Sequence, residues 1–177
     1  WAPSSPAASA DDGRWEIAAA SAGSADAGLR RRAAWELGAD RGQRSAKLLA
    51  QLLRDDDALV RSTAAAAFGK MRGDLAADLV SAAARDEQWA VRRQAVQALG
   101  RTGSFRALPA LIASLNDGNE DVRIQAARSL GRSGDRRAFE PLRAALAQSA
   151  GDLRGAVIAA LLSIDPVAAG PLADLAV

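Results

Sequence analysis

A period of 31 residues runs through this chain and restricts its fold more than any other feature. The period separates Arg30, Arg61, Arg92, Arg123 and Arg154, and equally Gly38, Gly69, Gly100 and Gly131. A fixed period of this length is typical of a solenoid, in which each unit packs on its neighbours and not around one central core. Such a stack provides an extended surface and has no need of a reaction centre.

Within each unit the apolar residues recur at helical spacing. One stripe, at i, i+4, i+5 and i+8, consists of Val122, Ala126, Ala127 and Leu130. A second stripe follows on the next segment and consists of Leu108, Leu111 and Leu115 in the preceding unit. These stripes predict two helices per repeat, a first helix and a second helix.

The apolar positions also align from repeat to repeat, which predicts buried columns along the stack. On the first helices, one column consists of Leu29, Val60, Val91, Val122 and Leu153. Another consists of Leu37, Phe68, Leu99, Leu130 and Leu161. On the second helices, a third consists of Leu49, Val80, Leu111 and Leu142. About a quarter of the chain is Ala, so these columns pack through small side chains.

Glycine and aspartate mark the ends of the helices. Gly131, Gly134 and Asp135 predict a helix end followed by the N-cap of the next helix, and Asp165 with Pro166 predicts another helix start. The acidic run 55–57 is interpreted as a cap, because the following residues offer no further oxygen ligands for a cation. The GxxG segments 100–103 and 131–134 are interpreted as turns, since no strand precedes them and they lack a P-loop lysine.

The repeats divide the chain into a leader and one solenoid domain. Residues 1–12 are predicted to be a flexible leader or linker, and residues 13–177 the repeat domain. The half repeat 13–25 is predicted to cover one end, because Trp15 lies one period before Ala46. Full repeats are predicted at residues 26–56, 57–87, 88–118, 119–149 and 150–177. The chain starts at Trp1, so it is equally interpreted as one domain of a longer protein.

The pattern Val-Arg-x-x-Ala-x-x-x-Leu-Gly-x-x-Gly-Asp, which begins at Val122, resembles the short HEAT-like repeat of the phycobilin-lyase (PBS lyase, EZ-type) family, found in many bacterial and archaeal proteins. The resemblance covers nearly all of residues 13–177. It implies an all-α fold, an α-solenoid wound as a right-handed superhelix of about five repeats. It does not imply one activity, because the family includes scaffolds, lyase subunits, regulatory domains and designed binders.

Composition narrows the chemistry. The chain has no Cys and no His, which excludes disulfides, thiol nucleophiles, imidazole bases and the His-Glu iron sites of the HEAT-like deoxyhypusine hydroxylases. No Ser has a basic partner in a recognisable motif. We therefore expect no catalytic residues, no metal site and no cofactor. The net charge of +2 gives no bulk argument for nucleic acid.

The periodic arginines invite interpretation as an anion-binding ladder, but strict periodicity favours a structural role. Each lies near the start of a first helix and close in sequence to acids such as Asp55, Asp86 and Asp117. The guanidinium fork can bind a carboxylate and loop carbonyls at once. We expect these arginines to join neighbouring repeats.

Positions that differ between repeats are the better candidates for recognition. In designed binders similar to this repeat type, these positions of the first helix line the concave surface, so the resemblance implies that they form the partner-binding face. The candidate binding residues are Arg31, Arg32, Trp35, Lys70, Trp89, Arg93, Gln94, Gln97, Arg101, Ile124, Gln125, Arg128 and Arg132. Trp and Arg are frequent interface anchors. The alternative for both Trp35 and Trp89 is that they only cover the Ala-rich packing.

The predicted function is a non-catalytic protein interaction scaffold or regulatory module, whose partner presents an acidic and apolar surface. Two alternatives remain open: nucleic-acid binding through the basic groove, as in HEAT-like DNA glycosylases, and a chromophore-handling subunit of the bilin-lyase type. No apolar run has the length of a transmembrane helix. The compartment stays open between the cytoplasm and, if Trp1 follows a removed signal or membrane anchor, the periplasm.

Overall fold

The computed structural model describes residues 10–40 and 42–167, and these form a stack of α-helices without a β-strand. The first helices are α2 (Ala27–Asp40), α4 (Ala58–Phe68), α6 (Trp89–Thr102), α8 (Glu120–Ser133) and α10 (Gly151–Ile164). The second helices are α3 (Gln43–Leu52), α5 (Asp74–Val80), α7 (Leu108–Ala113) and α9 (Phe139–Leu146), and α1 (Ala10–Ala22) precedes them. The predicted all-α solenoid is confirmed. No described helix has both the length and the apolar character needed to cross a membrane.

Successive first helices approach each other closely because glycine lies at their contact. A Cβ built on Gly131 of α8 would lie 2.7 Å from the Cα of Ala160 in α10, and one on Gly38 of α2 would lie 2.7 Å from the Cβ of Ala67 in α4. Real Cβ atoms essentially never show such distances. The repeated glycine column therefore allows the first helices to pack nearly backbone to backbone.

The second helices are shorter than the predicted three turns and contact each other much less. Two of them continue as 3₁₀ segments, Ser81–Arg85 after α5 and Ser114–Asn116 after α7. Each 3₁₀ segment begins at a serine whose hydroxyl donates to the carbonyl four residues back. That bond competes with the helical ladder and favours a tighter turn. The closer layers on the first-helix side favour a bend toward that side. We call the surface that the first helices present away from the core the inner face.

The three predicted columns form the core, with one exception at the N-terminal end. Phe68, Leu99 and Leu130 are fully buried, as are Leu49 and its equivalents. Leu29, however, is 47% exposed, so its assignment to a buried column was wrong. The reason is geometric: in the described part of the chain α1 alone precedes α2, and it packs in the row of second helices, so Leu29 has no described first helix above it.

The periodic arginines join successive loops, as predicted. Arg61 is only 8% exposed and donates from Nε and Nη2 to the carboxylate of Asp86, at 2.8 and 3.0 Å. Its Nη1 donates to the carbonyls of Asp55 and Asp56 in the preceding loop. The same arrangement recurs for Arg30 with Asp55 and for Arg92 with Asp117.

We call these periodic arginines the arginine ladder, and its pattern changes at the fourth arginine, Arg123. Arg123 donates to the carbonyls of Asp117 and Gly118, but the position one period after Asp117 is Gln148, and Arg123 forms no ion pair among the described residues. The structural role assigned to the arginines therefore rests on loop carbonyls alone at this step. The change from Asp117 to Gln148 is visible in the sequence, but it gains meaning only once the pairing of each arginine with the acid 25 residues later is known.

The helix ends correct one prediction. Asp57 and Asp135 cap the following helices by accepting from backbone amides, and Gly103 and Gly134 have left-handed φ values of +69° and +64°. The caps are confirmed. The interpretation of the GxxG segments as turns was wrong for their first three residues, because α6 and α8 continue through residues 102 and 133. Only the second glycine of each segment ends a helix. The last predicted helix, residues 165–177, lies mostly outside the described residues.

At the N-terminal end α1 lies beside α3. Trp15 Nε1 donates to Ser45 Oγ at 2.8 Å, which places α1 in the row of second helices, as the alignment with Ala46 requires. The helix already begins at Ala10, so the last three residues of the predicted leader are helical. The rest of the leader lies outside the described residues.

Candidate interaction face

The inner face is built from one stripe of each first helix. On α6 this stripe consists of Trp89, Arg93, Gln97 and Arg101, and on α8 of Glu120, Ile124, Arg128 and Arg132. Residues four apart lie on one side of a helix, and the opposite side of α6 and α8 carries the buried columns. Most side chains that differ between repeats therefore point away from the core, with Ile124 as an exception that packs against it.

All thirteen candidate residues lie among the described residues, with two degrees of exposure. The exposed ones are Arg31, Arg32, Trp35, Trp89, Arg93, Arg101, Arg128 and Arg132. The half-buried ones are Lys70, Gln94, Gln97, Ile124 and Gln125. Ile124 packs against the core and Gln125 Nε2 donates to Ser129 Oγ at 3.2 Å, so these two also have structural contacts.

Most cations of the inner face have no carboxylate partner. Among the described residues, no ion pair involves Lys70 or the exposed arginines Arg93, Arg101 and Arg128; the same holds for Arg31 and Arg132. By contrast Arg106, in the turn before α7, is paired with Asp78 at 2.7 Å. On the inner face itself only Arg32 is paired, with Glu36 at 2.8 Å. The face therefore has uncompensated positive charge.

The two tryptophans of this face are largely solvent-exposed. Trp35 is 65% exposed and Trp89 is 42% exposed. Each has a cation near its ring: Lys70 Nζ lies 5.3 Å from the Trp35 centroid, and Arg93 Cζ lies 5.9 Å from that of Trp89. A ring exposed to this extent covers little of the packing beneath it. Trp35 in particular does not fit the interpretation as a core cover.

The helix between the two tryptophans carries only small residues on its inner side. In the stack α4 lies between α2, which carries Trp35, and α6, which carries Trp89. Its inner stripe consists of Ala58, Ser62 and Ala66 before it reaches Lys70. Two projecting rings therefore flank a lower strip of surface, which is a shape that a partner side chain can enter.

A cavity of about 820 Å³ opens where α4, α6 and α8 end, and we call it the turn-edge cavity. Its lining includes Lys70, Arg72, Arg101 and Arg132, with Phe105, Leu108 and Leu111 as apolar residues. The acid in the lining, Asp135, is bound by Arg137, whose hydrogen bond lowers the pKa of that carboxyl. The cavity is therefore basic above an apolar floor.

Sequence reasoning missed Arg72 and Phe105 as members of this site. Phe105 is 63% exposed, and its equivalent in the next repeat is Arg136. Arg72 occupies the position at which the following repeats have the left-handed Gly103 and Gly134. Both residues depart from the repeat, so the signal used for the first helices would have found them had it been applied to the turns.

Asp55 and Asp117, the acids of two loops, are bound by the periodic arginines. The pKa of Asp55 is lowered, mainly because its carboxylate accepts a hydrogen bond from Arg30. Burial alone would raise the pKa of Asp117, but hydrogen bonds from Arg92 and from the Asn119 amide outweigh it and lower the pKa. No group of three or more metal-ligating side chains occurs among the described residues. These acids belong to the arginine ladder.

Comparisons with known proteins agree with this architecture. A model of HEAT repeats matches residues 16–89 and 76–162. None of the curated proteins matches the chain in sequence. The complex of CpcE and CpcF of phycocyanin lyase from Nostoc sp. PCC7120 is similar in structure, with 25% identity, a TM-score of 0.74, and coverage of 89% of this chain and 68% of that one.

Two designed solenoids share the fold at lower identity. One is an engineered protein with 18% identity and a TM-score of 0.64, with coverage of 91% of this chain and 88% of that one. The other is a designed armadillo repeat protein in complex with the peptide (KR)4, with 14% identity and a TM-score of 0.63; 88% of this chain and 83% of that one are covered. At these identities the likeness shows the fold alone.

Proposed function

Because this chain belongs to the HEAT-repeat family, we propose that it is a protein interaction scaffold or regulatory module that has no catalytic centre of its own. Its partner binds on the concave inner face formed by the first helices. The partner surface is acidic and includes apolar residues that reach Trp35 and Trp89.

One observation carries this proposal: cations without carboxylate partners share the inner face with two exposed tryptophans. Trp and Arg are the side chains that most often supply binding energy in interfaces. An unpaired arginine row repels a basic partner and attracts an acidic one, which favours the correct orientation on encounter.

The size of the face suits a protein partner. Packed helices lie about 8–10 Å apart, so the four steps from α2 to α10 span roughly 30–40 Å. A standard interface buries about 800 Å² on each partner, which such a face can provide.

The experiment is affinity capture with a charge-reversed inner face. In the variant Arg93→Glu/Arg128→Glu, both changes lie on the exposed side of α6 and α8, so the melting temperature should stay the same while the partner is lost. The matched control Arg14→Glu/Lys47→Glu reverses two exposed cations on α1 and α3 that have no ion-pair partner among the described residues. Captured proteins are identified by mass spectrometry. Equal capture by the inner-face variant and the control would refute the assignment of this face.

A second candidate function is a bilin-handling subunit, and the similarity to the CpcE–CpcF complex favours it. The turn-edge cavity has a volume within the range of small-molecule sites, and its cations could bind carboxylates of a tetrapyrrole. Mixing the chain with a bilin and recording the visible spectrum tests this candidate. A spectral shift that disappears in Arg101→Glu/Arg132→Glu would support it, and an unchanged spectrum would exclude it.

A further inference from the structure

We infer that the turn-edge cavity binds an acidic segment of the partner protein in an extended conformation, with carboxylates at every third residue. This inference rests on the proposed function and specifies what the partner presents at one edge of the inner face. Lys70, Arg101 and Arg132 are the residues that would bind the three carboxylates.

The spacing of these three cations sets the spacing of the carboxylates. They occupy equivalent positions, 31 residues apart, at the ends of α4, α6 and α8. Each step between neighbouring helices is about 8–10 Å. In the extended polyproline II conformation a chain advances about 3.1 Å per residue and completes a turn every three residues, so residues three apart lie on the same side, about 9 Å from each other. A segment that runs along the stack therefore places residues i, i+3 and i+6 next to successive cations.

The positive charge of the cavity lining favours an anionic ligand. Its lining has four cations, Lys70, Arg72, Arg101 and Arg132, and none of them forms an ion pair among the described residues. The carboxylate of Asp135 already binds Arg137 at 2.6 Å, so it does not compensate the row. The glycine contacts between first helices keep these like charges one helix step apart. An acidic segment would relieve that repulsion.

The apolar part of the cavity determines what lies between the acids. Phe105 is 63% exposed at the rim, and Leu108 and Leu111 form the floor. A segment with leucine or another large apolar residue between its acids would cover the Phe105 ring and enter the cavity. A nucleic acid would need several stacking surfaces in register with the cations, and the described lining offers one aromatic ring.

The test uses the full 177-residue chain and three labelled probes in fluorescence anisotropy. The first probe is a nonapeptide with glutamate at its second, fifth and eighth positions and with leucine between them. The second has the same composition but three consecutive glutamates. The third is a short poly-thymidine single strand. We expect the first probe to bind about tenfold more tightly than the second, because only it can meet all three cations at once.

Charge reversal then locates the site. Arg101→Glu/Arg132→Glu should weaken the spaced peptide about tenfold or more, whereas Arg14→Glu/Lys47→Glu should leave its affinity unchanged. The helical circular dichroism signal and its thermal transition verify that each variant is folded. Both arginines are exposed, so neither reversal should affect folding.

Three results would overturn the inference: equal binding of both peptides, no effect of the Arg101 and Arg132 reversals, or tighter binding of the oligonucleotide than of the spaced peptide. The last result would assign the cavity to nucleic acid. If a protein partner is captured through Arg93 and Arg128 while neither peptide binds, the scaffold proposal stands and this inference alone fails. Conversely, a spaced peptide that binds through Arg101 and Arg132, without any captured protein that depends on Arg93 and Arg128, supports the cavity but refutes the wider face.

Discussion

Replacing Gly131 by Ala should destabilise the stack, although the same change in an ordinary helix stabilises it. Gly131 lies inside α8 and has no left-handed backbone, so its helical conformation suits alanine. The obstacle is the neighbouring helix. The new Cβ would lie 2.7 Å from the Cα of Ala160 and 2.9 Å from its Cβ, and a backbone atom cannot turn aside as a side chain can. Helix α10 would have to move.

The magnitude follows from two opposing contributions. Gly to Ala in a helix interior gains about 0.5–1 kcal/mol from the lower entropy of the unfolded chain and the better helix propensity. Overpacking of a tight contact costs about 1–3 kcal/mol. Gly155 in α10 is the matched control, because it is also inside a helix and a Cβ there meets nothing within 4 Å. The control variant should gain about 0.5–1 kcal/mol, and the difference between the two variants isolates a contact cost of about 1–3 kcal/mol.

Urea unfolding followed by the helical circular dichroism signal measures both variants against the parent chain. Equal slopes of the free energy with urea indicate that the variants expose the same surface on unfolding. If Gly131→Ala stabilises the chain as much as Gly155→Ala does, the close approach of α8 and α10 is wrong. The curvature derived from the glycine column would then lose its basis.

Three further predictions concern the ladder and the inner face. The folded pKa values of Asp55 and Asp117 are lowered, so the stability that these carboxylates contribute is fully present above the ordinary Asp pKa of about 4 and is lost as the pH falls through the lower folded values. Asp55→Asn should therefore flatten this part of a plot of urea midpoint against pH. An unchanged slope would contradict the prediction. Gln148→Asp should supply the missing carboxylate partner of Arg123 and raise the free energy of unfolding by about 0.5–1 kcal/mol. The control Ala147→Asp, at the neighbouring exposed position, should not. Equal effects of both changes in thermal unfolding would show that Arg123 does not share the geometry of Arg92 with Asp117. Trp35→Ala should change stability by less than about 0.5 kcal/mol because the ring is exposed, yet reduce partner capture several-fold; a large drop in melting temperature would show that the ring supports the fold.

Features that repeat were predictable from the sequence. The period of 31 residues relates Val91, Leu99 and Arg92 to equivalent residues in the repeats above and below. Because these equivalents surround each residue in the same way, its burial and contacts follow from the repeat. Leu29 has the same residue pattern but no neighbour above it among the described residues, which is why its burial could not be inferred from the column alone. Within a solenoid, position along the stack matters as much as residue type.

Glycine shows why the details of packing could not be predicted. Gly131 and Gly134 lie three residues apart, and sequence reasoning assigned both to a helix end. Gly131 is required because a backbone atom of α10 lies against it, and Gly134 is required because its φ is +64°. Both demands exclude a Cβ, so a single sequence does not distinguish them. The turn-edge cavity was missed for a related reason: its lining comes from three turns whose geometry depends on where each helix ends.

The glycine column also connects stability with recognition. It lets the first helices approach nearly backbone to backbone, and the same approach places Arg101 one helix step from Lys70 and one from Arg132. Wider spacing would weaken the repulsion among these cations, but it would also separate them beyond the reach of consecutive carboxylates on an extended segment. A change such as Gly100→Ala, which leaves every charged side chain of the cavity in place, should therefore alter which acid spacing binds best. The contact that shapes the solenoid thus also sets the register in which the inner face would read a partner.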